Sequence, residues 1–432
     1  LFCMYWSNLV YAESDELISF SNGSIADADD VNHNFDLLEK RLKILESREH
    51  GIELDCTDNP AALRDAYQLH FDKSELTFSI KGKCYGSFAN TGAPDYNELQ
   101  VSSQEVTIFG NEEGATLIPD ERGVIGLVAS FGGGLHVSDL DIEVPAEYSN
   151  WVLLYSRNAY GTVQNVNITG GNTYNGIIRS QRSSNVYVIN TIIQTSGNAI
   201  VAANAGSVVF FQGNSITSSR GDSLNLQSGT TMKALTDLET SGQITLNPGS
   251  SFANKGVLKF NRFHSDGASV DVQGAFFTGS LENQNDGDPV RLNNSQGRFY
   301  FSKDEGNLLN LLNIVIHGSK INLSNEGSSN DEPSIIKQLR LERGSSLWLR
   351  GHIRFTEIRA VNSTIRFEYL DQNHTDKAYY LTNSQARVLG PFVPLEQMKH
   401  LSIFTCSGIS VLDYYGQSLT DIDTNCRGNS DW

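Results

Sequence analysis

The stretch GTVQNVNITGGNTYNGIIRSQRSSNVYVINTIIQTSGNAI, which runs from Gly161 to Ile200, alternates short apolar runs with Asn, Ser and Gly. Its apolar residues lack the spacing of a helical face and follow the two-residue alternation of short strands. Gly, Asn and Ser interrupt the strands at short intervals, as turn residues do. The stretch therefore predicts several short strands joined by tight turns, and a longer pattern decides how they are arranged.

The same pattern recurs in register along the chain. Four segments each end in an Ile, and successive Ile residues are 26, 25 and 23 positions apart. An apolar residue stands five positions before each Ile, and Asp, Asn or Gly stands three positions before it. These columns are Ile142, Ile168, Ile193 and Ile216; Val137, Val163, Val188 and Phe211; and Asp139, Asn165, Asn190 and Gly213. A fourth, apolar column is Leu153, Ile177, Ile200 and Leu224.

Self-similarity at a period of about 20–50 residues is typical of stacked repeats. A strand rises about 3.3 Å per residue, so a repeat of this length returns to the same column only if the chain turns. We therefore expect one coil per repeat, with the Ile column buried and the Asn column hydrogen-bonded at a bend. Beyond Ser228 strands and turns continue, but the columns are less regular.

This register resembles the right-handed parallel β-helix of pectate-lyase-like secreted proteins and phage tailspikes. The segment VTIFGNEEGATLIP, which begins at Val106, resembles an early rung of such proteins. The resemblance covers most of residues 52–385 and implies an all-β fold, a right-handed single-stranded parallel β-helix. The handedness comes from the resemblance alone. Function does not follow, because this fold carries lyases, hydrolases, isomerases, adhesins and surface rods.

Charge and hydrophobicity limit the kinds of partner that the chain is expected to bind. The chain of 432 residues has a formal net charge of −18, which argues against nucleic acid, because phosphate binding needs a basic patch. Past the first residues, no run approaches the roughly 20 apolar residues of a membrane helix, so we expect no membrane-spanning segment. A single solenoid domain of this length is reasonable, since each rung contacts only its neighbours.

The ends of the chain predict export. Residues 1–12, LFCMYWSNLVYA, resemble the end of a secretory signal with a small-residue cleavage pattern; the alternative is a hydrophobic first strand. We expect a secreted or cell-surface protein, or a bacterial periplasmic one. Beyond Cys3, four cysteines remain, which allow three disulfide connectivities. Pairing of the cysteines nearest in sequence would place one disulfide at each end of the solenoid. The pairs are Cys56 with Cys84 and Cys406 with Cys426, the latter in a predicted C-terminal cap, residues 386–432. The alternative is four free thiols.

Two helices are predicted near the N-terminal end of the chain, and we assign the solenoid to residues 51–385. Within an N-terminal segment of residues 13–50, a helix over 27–47 carries a coiled-coil seam. The seam consists of Val31, Phe35, Leu38, Leu42 and Leu45. The segment resembles coiled-coil leaders of secreted bacterial and fibre proteins, which implies a homotrimer; the alternative is a helix packed on its own solenoid. A second helix, in NPAALRDAYQLHF from Asn59, should cover the open first rung.

One aromatic and arginine-rich segment predicts a glycan-binding surface. Aromatic rings stack on sugar rings, and guanidinium groups bind carboxylate or sulfate. The candidate residues are Trp151, Tyr155, Arg157, Tyr174, Arg179, Arg182 and Tyr187. The alternative is an ordinary solenoid exterior, in which either Ile178 or Arg179 points inward.

Catalytic motifs are sparse. The column Asp139, Asn165, Asn190 offers a single carboxylate, too few for calcium, so we expect no metal and no other cofactor. Asp222, in RGDSLNL, stands without the paired carboxylates of a polygalacturonase-like hydrolase and is predicted to be a structural turn residue. Two hypotheses remain: a secreted rod that binds glycans or acts as a spacer, and a polysaccharide lyase or glycoside hydrolase acting on an acidic polysaccharide.

Overall fold

A computed structural model shows a parallel β-solenoid. It describes residues 51–70, 72–85, 101–102, 104–111, 114–119, 126–147, 151–277, 290–301, 313–325, 334–350, 353–367, 378–388, 404–407, 411–414 and 427–428. Within these ranges there is one helix, α1 (Ala62–His70), and every strand pairing is parallel.

The described strands, numbered β1 to β39 in chain order, are Ile52–Asp55, Glu75–Lys81, Lys83–Tyr85, Val101–Ser102, Glu105–Gly110, Thr116–Ile118, Leu127–Ser130, Gly134–Ser138, Asp141–Val144, Leu153–Ser156, Tyr160–Gln164, Asn167–Gly170, Ile178–Gln181, Asn185–Ile189, Ile192–Thr195, Ile200–Ala203, Val208–Gln212, Asn214–Ser218, Asp222–Leu226, Thr231–Ala234, Leu238–Thr240, Gln243–Leu246, Ser251–Asn254, Leu258–Phe260, Arg262–Asp266, Ser269–Phe277, Val290–Asn293, Gln296–Phe301, Asn313–His317, Lys320–Asn325, Ser334–Glu342, Ser346–Arg350, Ile353–Val361, Thr364–Phe367, Ala378–Thr382, Gln385–Val388, Phe404–Ser407, Val411–Tyr414 and Arg427–Gly428.

The strands stack into three faces. The first face contains β1, β2, β5, β8, β11, β14, β17, β20, β23, β26, β28, β30, β32, β34, β36, β38 and β39. The second face contains β3, β6, β9, β12, β15, β18, β21 and β24, and β26 pairs with both β23 and β24, so these two faces form one 25-stranded sheet. The third face is a 14-stranded sheet of β4, β7, β10, β13, β16, β19, β22, β25, β27, β29, β31, β33, β35 and β37.

The Ile column lies in the core, as predicted. Ile142, Ile168, Ile193 and Ile216 are register partners on β9, β12, β15 and β18, and each is at most 1% exposed. The column of Val137, Val163, Val188 and Phe211 is likewise in register and buried on the first face. The repeat therefore corresponds to one coil of the solenoid; the handedness of the coil stays a prediction.

The fourth column is displaced by one residue from the prediction. Leu153 pairs with Ile178 rather than Ile177, and Ile178 then pairs with Ile200. Ile177 is also buried, because it lies at the corner before β13, where strand alternation does not yet apply. Ile178 therefore points inward and Arg179 outward.

The bend between the first and second faces uses left-handed backbone. Asp139, Asn165, Asn190 and Gly213 have φ between 46° and 63° at the bend between the first and second faces. Asn165 Nδ2 donates to Asp139 Oδ1 at 2.9 Å, so part of the predicted hydrogen-bonded column is present. Asn, Asp and Gly tolerate this conformation better than other residues, which explains their recurrence.

A column of small residues at the corner before the first face was not predicted. Its members are Ala159, Ser184, Ser207, Thr230, Ser250, Ala268, Ser295, Ser319, Ser345, Ser363 and Ser384, all buried. The carbonyl of each member from Ala159 to Ser363 accepts the backbone N–H that follows the next member. The stacking is therefore regular well beyond Ser228.

The first rung is closed by a disulfide and a helix. Cys56 and Cys84 are bonded, with Cα atoms 5.1 Å apart, which confirms the first predicted pair. Leu63 and Tyr67 of α1 are buried against the first strands, and Asn59 Oδ1 accepts the Ala61 N–H at 3.1 Å. No helix in the described part of the chain is long and apolar enough to cross a membrane.

Several predictions fall outside the described residues. Residues 1–50, with the signal-like segment and the coiled-coil seam, belong to this set, as do Cys426 and the side chain of Cys406. Parallel pairing continues past residue 385 through β37, β38 and β39, and the bounds of the C-terminal cap stay a prediction.

Candidate functional site

The structure distributes the predicted glycan-binding residues over four places. Trp151 and Arg179 meet at the leading corner of the third face, beside the turn that carries Tyr174, and we call this place the third-face corner. The remaining four lie elsewhere: Arg157 and Arg182 in the turns that follow β10 and β13, Tyr187 on the first face and Tyr155 in the core.

Tyr155 is wrongly predicted as a surface residue. Leu153 points inward, so alternation along β10 also points Tyr155 inward, where it is fully buried. Its hydroxyl donates to the Leu135 carbonyl at 3.2 Å, and burial raises the pKa of the phenol well above its ordinary value. Tyr155 is a core residue and does not face a ligand.

Arg157 and Arg182 form an exposed edge on successive rungs. Both have left-handed backbone, with φ of 56° and 53°, and the Asn158 N–H donates to the Arg182 carbonyl at 3.0 Å. The Arg157 guanidinium lies 4.2 Å from the ring centroid of Phe131, which is 46% exposed. This edge combines an aromatic ring with two cations, but it is separated from the third-face corner by the length of a strand.

Tyr187 belongs to an aromatic stack on the first face. It pairs in register with Phe210, and the two rings are stacked with centroids 4.6 Å apart. Tyr187 is 40% exposed, and burial of the remainder raises the pKa of its hydroxyl. The stack continues to Lys233, whose Nζ lies 5.9 Å from the Phe210 ring.

The third-face corner is organised around Arg179. The Arg179 guanidinium lies 5.9 Å from the ring of Trp151. Its Nη1 donates to the Asn175 carbonyl at 3.0 Å, and its Nε donates to Gln181 Oε1 at 3.2 Å. Partial burial lowers the pKa of the guanidinium from its ordinary value, which still leaves it charged at neutral pH. The guanidinium is thus held in one orientation.

Tyr174 completes the corner. Its side chain is 82% exposed, the most exposed large hydrophobic side chain within the described ranges. The turn that carries it is fixed from the next rung, because Asn198 Nδ2 donates to the Tyr174 carbonyl at 2.7 Å. Asn198 Oδ1 in turn accepts the Asp222 N–H at 2.8 Å, which links the corner to β19.

Asp222 forms the centre of a polar network on the outer surface of the third face. Asn225 Nδ2 donates to its Oδ2 at 2.6 Å, and Thr245 Oγ1 donates to its Oδ1 at 3.0 Å. Burial raises the pKa of the Asp222 carboxyl, although both hydrogen bonds and His264 oppose the shift. Sequence reasoning treated Asp222 as a turn residue; the missed signal is a run of polar outward positions, Asn225, Thr245 and His264, on consecutive strands.

A separate depression of about 380 Å³ follows the bend between the first and second faces. It is lined by the Asn column and its neighbours, including Asp139, Asp141 and Asn167. In the described residues, no group of three or more His, Cys, Asp or Glu side chains could hold a metal ion. The absence of calcium nevertheless remains a prediction.

Comparison with known proteins adds no relative: no family model, no curated protein and no solved structure matches the chain. The parallel β-solenoid is therefore established by the strand pairing alone. Kinship with pectate-lyase-like proteins or tailspikes stays a prediction.

Proposed function

We propose that this protein is an extracellular solenoid that binds an acidic polysaccharide at the third-face corner. The observation that carries the proposal is the fixed Arg179 guanidinium between Trp151 and the exposed Tyr174 turn. Aromatic side chains provide flat apolar surfaces for sugar rings, and a guanidinium binds a carboxylate through parallel hydrogen bonds. The corner offers both in one place.

Preorganisation supports this use of Arg179. A guanidinium has five N–H donors, and the bonds to Asn175 and Gln181 occupy two of them. Gln181 is itself fixed, because its Nε2 donates to Ser156 Oγ at 3.2 Å. Less conformational entropy is then lost when a carboxylate binds to the remaining donors.

The extracellular location rests on the disulfide between Cys56 and Cys84 and on the signal-like start of the sequence. Disulfides persist in oxidising compartments, including the bacterial periplasm. A long, stacked rod also suits display of a binding surface outside the cell.

Calorimetry with oligogalacturonate and with a neutral oligosaccharide of equal length tests the proposal. We expect the acidic oligomer to bind more tightly, and Arg179→Gln to weaken that binding at least about tenfold, because a charge-assisted hydrogen bond is lost. Arg359→Gln, on the same face but paired with Glu357, is the matched control and should change little. Equal binding of both oligomers, or equal losses in both variants, would refute the proposal.

A second candidate function, cleavage of the bound polysaccharide, is favoured by Asp222. Burial raises the pKa of the Asp222 carboxyl, which is the direction that suits a general acid donating its proton to the leaving glycosidic oxygen. Asp222 lies one hydrogen bond beyond Asn198, which holds the Tyr174 turn. Incubation with acidic polysaccharides should release reducing ends or ultraviolet-absorbing unsaturated products, and Asp222→Asn should abolish their release while oligomer binding persists. Intact polymer after prolonged incubation with the unmodified protein would exclude this function.

A further inference from the structure

The first face carries a cationic surface near the C-terminal end of the described solenoid. The outward positions of β30, β32, β34 and β36 hold four cations, one indole and no carboxylate among the strand residues that the structure describes. We call these four cations and Trp348, together with Asn322 beside it, the Trp348 patch: Lys320, Asn322, Trp348, Arg350, Arg366 and Arg387. In a chain with a net charge of −18, such a group is unusual.

Three arginines elsewhere on the solenoid are neutralised by neighbouring carboxylates. On the third face, Arg340 Nη2 lies 3.2 Å from Glu342 Oε1, and Arg359 is paired with Glu357. Further up the first face, Arg298 Nη2 lies 2.9 Å from Asp271 Oδ2. Within the described chain, Lys320 and Arg366 form no ion pair with a carboxylate. The positive charges of Lys320 and Arg366, on either side of Trp348, are therefore open to an external anion.

Two guanidinium groups lie against the indole ring of Trp348. The guanidinium of Arg350 lies 4.8 Å from the indole ring and that of Arg366 lies 4.6 Å from it. Two polar atoms beneath this layer have no hydrogen-bond partner among the described residues: Trp348 Nε1, a donor, and Asn322 Oδ1, an acceptor. Asn322 and Trp348 are register partners on neighbouring strands, so Asn322 Oδ1 and Trp348 Nε1 belong to the same part of the first face.

We propose that the Trp348 patch binds a sulfated polysaccharide. Lys320 and Arg366 come from the two strands that flank Trp348, so an anion above the indole can be approached from two sides. Separate donors of this kind suit the tetrahedral sulfate oxygens better than a planar carboxylate, for which a single guanidinium fork is the natural partner. A sugar hydroxyl can donate to Asn322 Oδ1 and accept from Trp348 Nε1 once the arginine side chains move aside. Rungs repeat at about 4.8 Å, so the patch from Lys320 to Arg387 is about 14 Å long, enough for a short oligosaccharide.

This site is independent of the third-face corner, and the two are tested separately. Calorimetry of the full-length protein with a dextran sulfate oligomer, at low and at physiological salt, should show binding that weakens as salt rises. The combined variant Lys320→Gln, Arg366→Gln should weaken the affinity at least about tenfold. The combined variant Arg340→Gln, Arg359→Gln removes the same charge from the same region of the rod and should leave the affinity within about twofold. Arg179→Gln should not affect this ligand.

Three further probes decide the class of ligand. In the Arg179→Gln variant, which lacks the third-face corner's guanidinium, uncharged dextran, oligogalacturonate and single-stranded DNA of similar length should each bind more weakly than dextran sulfate. Trp348→Ala should weaken binding more than Trp348→Phe, with circular dichroism confirming that both variants fold. No binding of dextran sulfate at low salt, equal losses in the two combined charge variants, or tighter binding of any of the three other polymers would overturn the proposal.

Discussion

Single residues in the Ile column bear a large share of the stability of their rung, because the solenoid core is narrow. Ile193 is fully buried between its register partners Ile168 and Ile216. Its neighbour Ile192 points the other way and is 45% exposed. Two adjacent residues of the same type thus differ completely in environment, and this difference can be measured.

Ile193→Asp should lower the free energy of unfolding by about 4 kcal/mol or more, because the column provides no partner for a buried carboxylate. Ile192→Asp places the same group in solvent and should change the stability by about 0.5 kcal/mol or less. Denaturant titration followed by circular dichroism compares the two. Similar stabilities would contradict the register of β15.

The serine column depends on single hydroxyl groups in the same way. Ser319 Oγ accepts the Ser295 N–H at 2.9 Å and lies 2.8 Å from the Leu292 carbonyl, to which it donates. Ser319→Ala leaves this buried N–H without its acceptor and should cost about 1–3 kcal/mol. The exposed Ser346 provides the control, since Ser346→Ala should be close to neutral in the same thermal melts. A neutral Ser319→Ala would show that the column has no structural role.

At the scale of elements, the corners decide which side chains the strands expose. The core columns could be predicted because apolar residues recur at fixed steps. The serine column could also have been predicted, since GSV, PGS, HGS and RGS recur before first-face strands. The outward-facing residues of the glycan-binding set could not be predicted, because a shift of one residue at a corner, as at Ile177, changes which residues point outward. Tyr155 was misassigned for a different reason, because alternation from the buried Leu153 points it inward.

The polar network around Asp222 links β19 to β22 and should make stability depend on pH. Burial raises the pKa of the folded-state carboxyl, so the native state binds more protons than the unfolded state between the two pKa values. Stability contributed by Asp222 is therefore present at low pH and declines as pH rises through that window. Asp222→Asn should remove this decline, so the stability of the variant relative to the unmodified protein should increase with pH. Parallel stability curves would contradict the shift.

The N-terminal end of the solenoid combines β1, β2 and β3 with α1 and the disulfide between Cys56 and Cys84. Closing a loop with a sequence separation of 28 residues stabilises the folded state by about 3 kcal/mol in the chain-entropy model. The double variant Cys56→Ser, Cys84→Ser should therefore unfold at lower denaturant concentration. Hydrogen exchange should show the loss of protection concentrated in β1, β2 and α1, since each rung contacts only its neighbours. Uniform loss along the whole rod would mean that the solenoid unfolds as one unit.

At the scale of the whole molecule, the solenoid presents separate surfaces along one rod. The third-face corner, the Asp222 network and the Trp348 patch lie on different rungs or faces, and each uses outward positions that stacking leaves unconstrained. The fold class follows from the repeat, whereas the chemistry of each surface depends on side chains that the repeat does not specify. A rod of this kind gains avidity when several copies are joined, because the binding sites are then held near one another.

Such joining is the role we predict for residues 27–47, which lie outside the described part of the chain. The seam of Val31, Phe35, Leu38, Leu42 and Leu45 is short, and isolated helices of about 12–15 residues are only marginally stable. Rods lying side by side would raise the effective concentration of the helices and make association favourable. We therefore expect light scattering to give a trimer for the intact protein and a smaller species once residues 13–50 are removed. If both proteins are monomers, the seam does not mediate assembly.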